Sequence, residues 1–256
     1  MIEYVMVAVL GAIIGSFLNV CIYRIPKKES LNYPGSHCTS CKHNLRPLDL
    51  IPILSYVALR GRCRYCGAKI SIQYPFIEMI NGVLYILIYH YFGIGLTSAA
   101  LGVLFSTLLT VAVIDYYTMR IPNSLIVFGT SVGIIYLMLQ ALYMKERIII
   151  VQGIVGFIVG GGMIGLIIIF SLLVFKKDGM GMGDLKLLAM IGLFTGSKHA
   201  FFTIFIAVIV GSFYGILILR RKKQELFPFG PFLSVGAVIG TLWGDVIWTI
   251  YMNCMH

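Results

Sequence analysis

Of the 256 residues, 59% are hydrophobic and only 12% are charged, with a mean hydropathy of +0.94. A soluble domain carries roughly a quarter charged residues, and no soluble core of this size hides so much apolar surface. The formal charge of +10 does not point to nucleic acid, because the basic residues sit in short loops beside apolar runs, where topology signals belong. The expectation is an all-α polytopic membrane protein whose surroundings are lipid, with no nucleic-acid partner.

The first apolar run, 4–23, lacks a basic leader region and a small-residue cleavage site, so it reads as a retained span rather than a secretory signal. Further runs at 76–92, 96–114, 122–142, 148–175, 185–197, 200–219 and 229–251 bring the expected number of transmembrane helices to about eight. The run at 185–197 is short for a span and reads as tilted or partly re-entrant. Within the long run at 148–175, Gly160, Gly161 and Gly162 permit a bend or close packing on a neighbour. Eight spans place alternate loops on alternate sides. One set of loops holds 17 of the 20 basic residues, and the other holds only Lys145, Arg147 and Lys198. That asymmetry assigns the first set to the cytoplasm and both termini to the outside. The chain thus divides into a first span (1–23), a cytoplasmic cysteine-rich loop (24–75) and a membrane core (76–256).

The loop is the one substantial segment outside the membrane. About 50 residues bury little core alone and need a staple. Cys38 and Cys41 form one C-x-x-C pair and Cys63 and Cys66 a second, with 21 residues between the pairs. That spacing suits a tetrathiolate zinc site, each pair supplying two soft ligands from one tight turn. A cytoplasmic location disfavours disulfides or redox use, because thiols stay reduced there. Four thiolates leave no open position on the metal, so the expected Zn2+ is structural. His37 and His43 flank the first pair and read as solvent-facing rather than as ligands. Cys21 and Cys254, at or in apolar runs, read as packing residues.

Ten acidic residues make each one near a span informative. Asp115 ends the third span, and Asp184 closes Gly179-Met180-Gly181-Met182-Gly183-Asp184 and opens the sixth. By loop parity both lie at the cytoplasmic face. Two facing carboxylates cannot both ionise cheaply and share a proton, which lets one activate a water while the other protonates a departing amine. Gly181 and Gly183, without side chains, admit a substrate or neighbouring backbone. The plain alternatives are an N-cap role for Asp184 and an interfacial pair of Asp115 with Arg120. Glu78, early in the second span, reads as an interfacial acid, the partner of a loop arginine or the lining of a cavity. Asp49 reads as a turn residue, and Asp245 has no evident role.

In order along the chain, Gly15-Ser16-Phe17-Leu18-Asn19-Val20, Tyr23-Arg24-Ile25-Pro26, the two C-x-x-C pairs, Ile114-Asp115, Ile121-Pro122-Asn123, Gly181-Met182-Gly183-Asp184-Leu185-Lys186-Leu187 and Phe229-Gly230-Pro231-Phe232 resemble the bacterial prepilin peptidases, or type IV leader peptidases. The resemblance covers nearly the whole chain. It implies a GxGD-type aspartic endopeptidase of the bacterial cytoplasmic membrane with Asp115 and Asp184 as its catalytic pair. Gly181, Gly183, Lys186 and Glu78 are expected to shape the site. It also implies type IV prepilin or pseudopilin precursors as substrates, and N-methylation of the new N-terminus with S-adenosylmethionine. Where the family commonly has Arg before Tyr74-Pro75, this chain has Gln73, so methyl-transfer residues are not carried over individually. Competing readings are a presenilin- or signal-peptide-peptidase-like protease, against which the cysteine loop speaks, and a transporter, which requires charges deeper in its spans.

Overall fold

The computed structural model describes residues 1–176, 180–219 and 227–255, and they form helices with no strand longer than an isolated bridge. The chain divides into two compact units, Met1–Ile94 and Gly95–His256.

In the first unit α1 (Ile2–Arg24) and α3 (Gln73–Phe92) run antiparallel, with the cysteine loop and the short α2 (Leu54–Ala58) between them. Glycines set the contact. A Cβ on Gly15 would stand 2.8 Å from the Glu78 Cα, and one on Gly11 would stand 2.9 Å from the Gly82 Cα. Close backbone approach of this kind is how helices associate where solvent cannot drive them together. Asn81 stitches the seam by donating to the Gly11 carbonyl at 2.7 Å. At the far end the Tyr89 hydroxyl bonds Glu3, and Tyr4 meets His90 at 3.2 Å. Cys21 is buried in α1, as a packing residue should be, whereas the side chain of Cys254 lies outside the described residues.

Arg24 ends α1 and is buried, 7% exposed. Its guanidinium donates to the carbonyls of Ser30 (2.8 Å), Leu31 (3.3 Å), Pro34 (2.7 Å) and Gly35 (3.4 Å), wrapping the start of the loop around one cation. The sequence reading gives Arg24 as a loop charge and a member of the Tyr23-Arg24-Ile25-Pro26 motif; its structural role is to anchor the loop.

The second unit contains α4 (Leu96–Thr118), α5 (Asn123–Met144), α6 (Ile148–Phe175), α7 (Met182–Leu219) and α8 (Gly230–Met255). Among the described residues six helices, α1 and α4 to α8, are long and apolar enough to cross a membrane. The sequence reading differs at two places. The run expected at 76–92 is helical as α3 but falls outside that set, because Glu78, Asn81 and His90 interrupt its apolar character. The runs expected at 185–197 and 200–219 join in one 38-residue helix, α7, which is broken where Gly196 adopts φ 78°. Left-handed backbone of that kind favours glycine. An unbroken helix of this length would span roughly 57 Å, nearly twice the ~30 Å hydrocarbon layer.

The contacts show that α7 folds back at the break. Its first half packs on α6, with Gly160 against Leu188 and Gly165 near Leu185. Its second half packs on α8, with Gly211 against Phe229 and Phe232, and Gly240 against Thr203. Both ends of α7 therefore lie at the same end of the unit. The α6 seam is the tightest, since a Cβ on either Gly156 or Gly192 would overlap the carbonyl oxygen of the other. Gly160 and Gly161 use their small size for packing, while Gly162 faces open space. α4 is the most enclosed helix, and Leu104, Phe105 and Val111 are fully buried on it. Its hydroxyls return to the helix, Thr107 to the Val103 carbonyl and Thr110 to that of Ser106, as polar groups without water require.

Replacing Gly192 with Val is expected to destabilise the second unit by about 1–3 kcal/mol through overpacking. Gly162→Ala should be near neutral. Thermal melting of the two variants in detergent checks the difference.

Candidate catalytic and metal sites

Asp115 sits one turn before the end of α4 and is 5% exposed; Asp184 sits in the first turn of α7 and is 9% exposed. The negative charge of Asp115 acts on Asp184. Asp115 Oδ2 accepts the Gly230 N–H at 2.9 Å, so the first amide of α8 points at it. Asp184 Oδ2 accepts the Gly181 N–H at 3.3 Å, and the Asp184 N–H donates to the Gly181 carbonyl at 3.0 Å. The positive ends of two helix dipoles, α7 and α8, thus face the carboxylates and favour negative charge there.

Of the plain alternatives, part of one holds. Asp184 is not the residue before α7, but its carboxylate does return to the N–H that precedes the helix, the acidic half of a capping box. Asp115 makes no ion pair with Arg120 among the described residues; its carboxylate is held by Gly230 instead.

Two connections, through Gly183 and Lys186, place the start of α7. A Cβ on Gly183 would press on Ile121 at 3.1 Å, and one on Gly181 would stand 3.2 Å from Asp184 Oδ2. Lys186, exposed, donates to Asn123 Oδ1 at 3.1 Å. The first turn of α7 is therefore pinned to the α4–α5 connection just beyond Asp115. Lys186 also edges an apolar cavity of about 230 Å³ with Ile126, Phe157 and Leu185. Gly230 is the site residue that the sequence reading missed. A Cβ there would stand 2.7 Å from Asp115 Oδ2. The Gly-Pro pair at 230–231 signals a helix start, but nothing local says that this start faces a carboxylate 115 positions earlier.

In the first unit, Cys38, Cys41, Cys63 and Cys66 bring their Sγ atoms within 4.8 Å of one another, and Cys38 and Cys66 are 3.9 Å apart. Tetrahedral Zn–S bonds of about 2.3 Å place sulfurs about 3.8 Å apart, so the four thiols can hold a metal ion. The two turns are built alike. The Cys38 N–H donates to the His43 carbonyl and the Lys42 N–H to that of Cys38; the Cys63 N–H donates to Ala68 and the Gly67 N–H to Cys63. Bridges His37–Asn44 and Arg62–Lys69 close both. Lys42 (φ 60°) occupies the left-handed position that Gly67 (φ 71°) fills in the second turn. The Cys41 amide leads in pulling the Cys38 thiol down to about 6, while Cys66, despite the Ala68 amide, is pushed up to about 11 by burial and the other three sulfurs. The histidines stay out: His37 Nδ1 bonds the Gly35 carbonyl at 2.9 Å, and His43 lies against Tyr65.

Asp49 does more than turn the chain. It accepts Arg64 Nε at 2.7 Å, the Arg46 N–H at 3.2 Å and the Tyr65 hydroxyl at 3.3 Å, fastening the second cysteine turn to the linking segment. Burial raises its carboxyl, but these donors outweigh that and hold it below the usual range. Among the described residues Glu78 pairs with no loop arginine; its Oε2 accepts the Ile53 N–H at 2.7 Å. Asp245 pairs with Lys198 at 2.7 Å on an exposed surface near the α7 break.

The second unit is a multi-pass membrane bundle that buries two carboxylates, Asp115 and Asp184, and the first is a helical hairpin whose loop brings together four cysteines that can hold a metal ion. Residues 9–92 match the model of the bacterial peptidase A24 N-terminal domain, and residues 102–216 match that of the type IV leader peptidase family. The chain is 30% identical over 272 residues to a prepilin leader peptidase/N-methyltransferase of Pseudomonas putida, covering 96% of this chain and 93% of the relative. It is 33% identical over 248 residues to one of Bacillus subtilis (strain 168), covering 96% of each, and 32% identical over 265 residues to one of Neisseria gonorrhoeae, covering 94% and 91%. No solved structure matches the chain. The chain belongs to the type IV leader peptidase family.

Metal analysis of the purified chain is expected to find one bound metal ion, lost in Cys63→Ser. Because Asp49 is held below its free value, its contribution is present above about pH 4 and disappears as pH falls further. Asp49→Asn should therefore lower the temperature of metal release at pH 7, with the gap from wild type closing in acid.

Proposed function

We propose that this chain cleaves the basic leader from type IV prepilin or pseudopilin precursors and N-methylates the new N-terminus. The observation that carries the peptidase reading is the burial of Asp115 and Asp184 at one end of the second unit, each with an amide N–H at one oxygen. Two helix N-termini stabilise one negative charge shared by the pair. The ionised carboxylate takes a proton from water, whose oxygen attacks the scissile carbonyl. The protonated partner then delivers its proton to the leaving amine as the C–N bond breaks. Either aspartate fills either role, because the titration belongs to the pair.

Topology supports a cut at the cytoplasmic face. Both aspartates lie at helix ends, the loop charges of the sequence favour the cytoplasmic side for those ends, and a basic leader would stay on that side while the apolar stem of the substrate lies in lipid. The terminal position of both acids also argues against a transporter. In the loop, Zn2+ bound by the four cysteines has no open position and organises the fold. S-adenosylmethionine, when bound, supplies the methyl group for the second activity.

Kinetics on the full chain in nanodiscs with a purified prepilin test the reading. Asp115→Asn and Asp184→Asn are each expected to reduce kcat by about 10²–10⁴-fold. Gly230→Ala, by displacing the Asp115 carboxylate, should reduce it about 100-fold with KM little changed. Wild-type cleavage by both Asn variants would contradict the assignment. Mass spectrometry of the product reads the added methyl group.

A further inference from the structure

The first unit holds a cavity of about 700 Å³ between the α1–α3 hairpin and the cysteine loop. Asn19 and Glu78 both line it. Asn19 is 4% exposed, and its Nδ2 donates to the carbonyls of Gly15 and Tyr74, each at 3.2 Å. Both partners only accept, so the orientation of the amide is fixed. Among the described residues its Oδ1 is left buried without a hydrogen-bond partner. An orphaned acceptor in a low-dielectric site is costly and calls for an explanation.

One turn further along the seam, Glu78 is 7% exposed. It is bonded by the Ser16 hydroxyl and by the Ile53 amide. Ile53 has φ 61°, a left-handed conformation that a β-branched residue avoids. The carboxylate thus also fixes the strained turn at the loop edge. Tyr23, Tyr33, Tyr56 and Tyr74 add aromatic lining, and the Lys27 ammonium already rests over the Tyr23 ring, 3.4 Å from its centroid. Arg24, Lys42, Arg64 and Lys69 also line the cavity, but where the buried acceptor and the carboxylate lie one turn apart beside aromatic rings, the lining matches a cation that only donates hydrogen bonds.

We propose that Asn19 Oδ1 and Glu78 form a primary-ammonium subsite in this cavity, serving the N-methyl transfer of the proposed function, on which the inference rests. Two molecules of that reaction carry the group: S-adenosylmethionine, and the newly exposed N-terminus of the substrate. In the second case the ammonium gives one proton to Glu78. The nitrogen lone pair then forms the N–C bond as the S–C bond breaks, and its electrons remain on sulfur to leave S-adenosylhomocysteine.

Glu78→Gln keeps an acceptor for the Ile53 amide and removes the charge, and metal content checks that the loop still folds. Calorimetry on the full chain compares S-adenosylhomocysteine, which carries the ammonium, with 5′-methylthioadenosine, which lacks it. Methylation kinetics use a peptide with a free mature N-terminus. If the subsite holds the donor, the variant weakens S-adenosylhomocysteine at least about 10-fold and leaves methylthioadenosine unchanged. If it holds the acceptor, both nucleosides bind as in wild type and the KM of the peptide rises at least about 10-fold. A folded Glu78→Gln chain with wild-type values in both assays overturns the proposal. A wild-type chain that neither binds nor methylates removes the methyl-transfer reading, and the subsite with it, whatever the variant does.

Discussion

The hydrogen bond from the Gly230 amide to the Asp115 carboxylate is the contact on which the second unit's chemistry rests. It joins the end of α4 to the start of α8 in a space that admits no Cβ. The fold-back of α7 at Gly196 then returns both ends of that helix to the same end of the unit, so Asp184 in its first turn lies in the field of Asp115. Without the amide, a carboxylate would sit at the negative end of the α4 dipole with nothing to offset it. With it, the N-termini of α7 and α8 face the two acids. In the proposed reaction one shared charge is stabilised there, and the two residues differ in protonation.

The rest of the architecture follows from the lack of water in a bilayer. Helices are held by close packing and every polar group must find a partner. The Gly156–Gly192 contact sets the α6–α7 seam, and Gly11 and Gly15 set the α1–α3 seam. Arg24 applies the same rule where the chain leaves its first helix, its guanidinium taking four carbonyls of the loop. The paired cysteine turns complete a loop too short to hold itself by apolar burial.

Much of this was legible in the amino acids. The apolar runs located the helices, including the two halves of α7, and the C-x-x-C spacing foretold the clustering of the four sulfurs. The position of Asp115 and Asp184 at helix ends was also readable, because each borders a polar loop. What could not be read is long-range and carried by backbone atoms. Gly230 meets Asp115 through an N–H that every residue but proline has, and the orphaned Oδ1 of Asn19 depends on how α1 and α3 are set against one another. Glu78 illustrates the same gap: an acid suggests a basic partner, but the structure supplies the amide of Ile53. Lys42 in the place of a turn glycine hides the likeness of the two cysteine turns.

The central claim is that Asp115 and Asp184 meet in the working protein. The most direct measurement places cysteines at both positions and treats membranes containing the chain with a short bifunctional thiol reagent. Mass spectrometry then looks for a link between the peptides that carry residues 115 and 184. An intramolecular link in the double variant, absent from each single variant, is the expected result. Failure to form that link, with both cysteines shown to react singly with a small maleimide, would contradict the account.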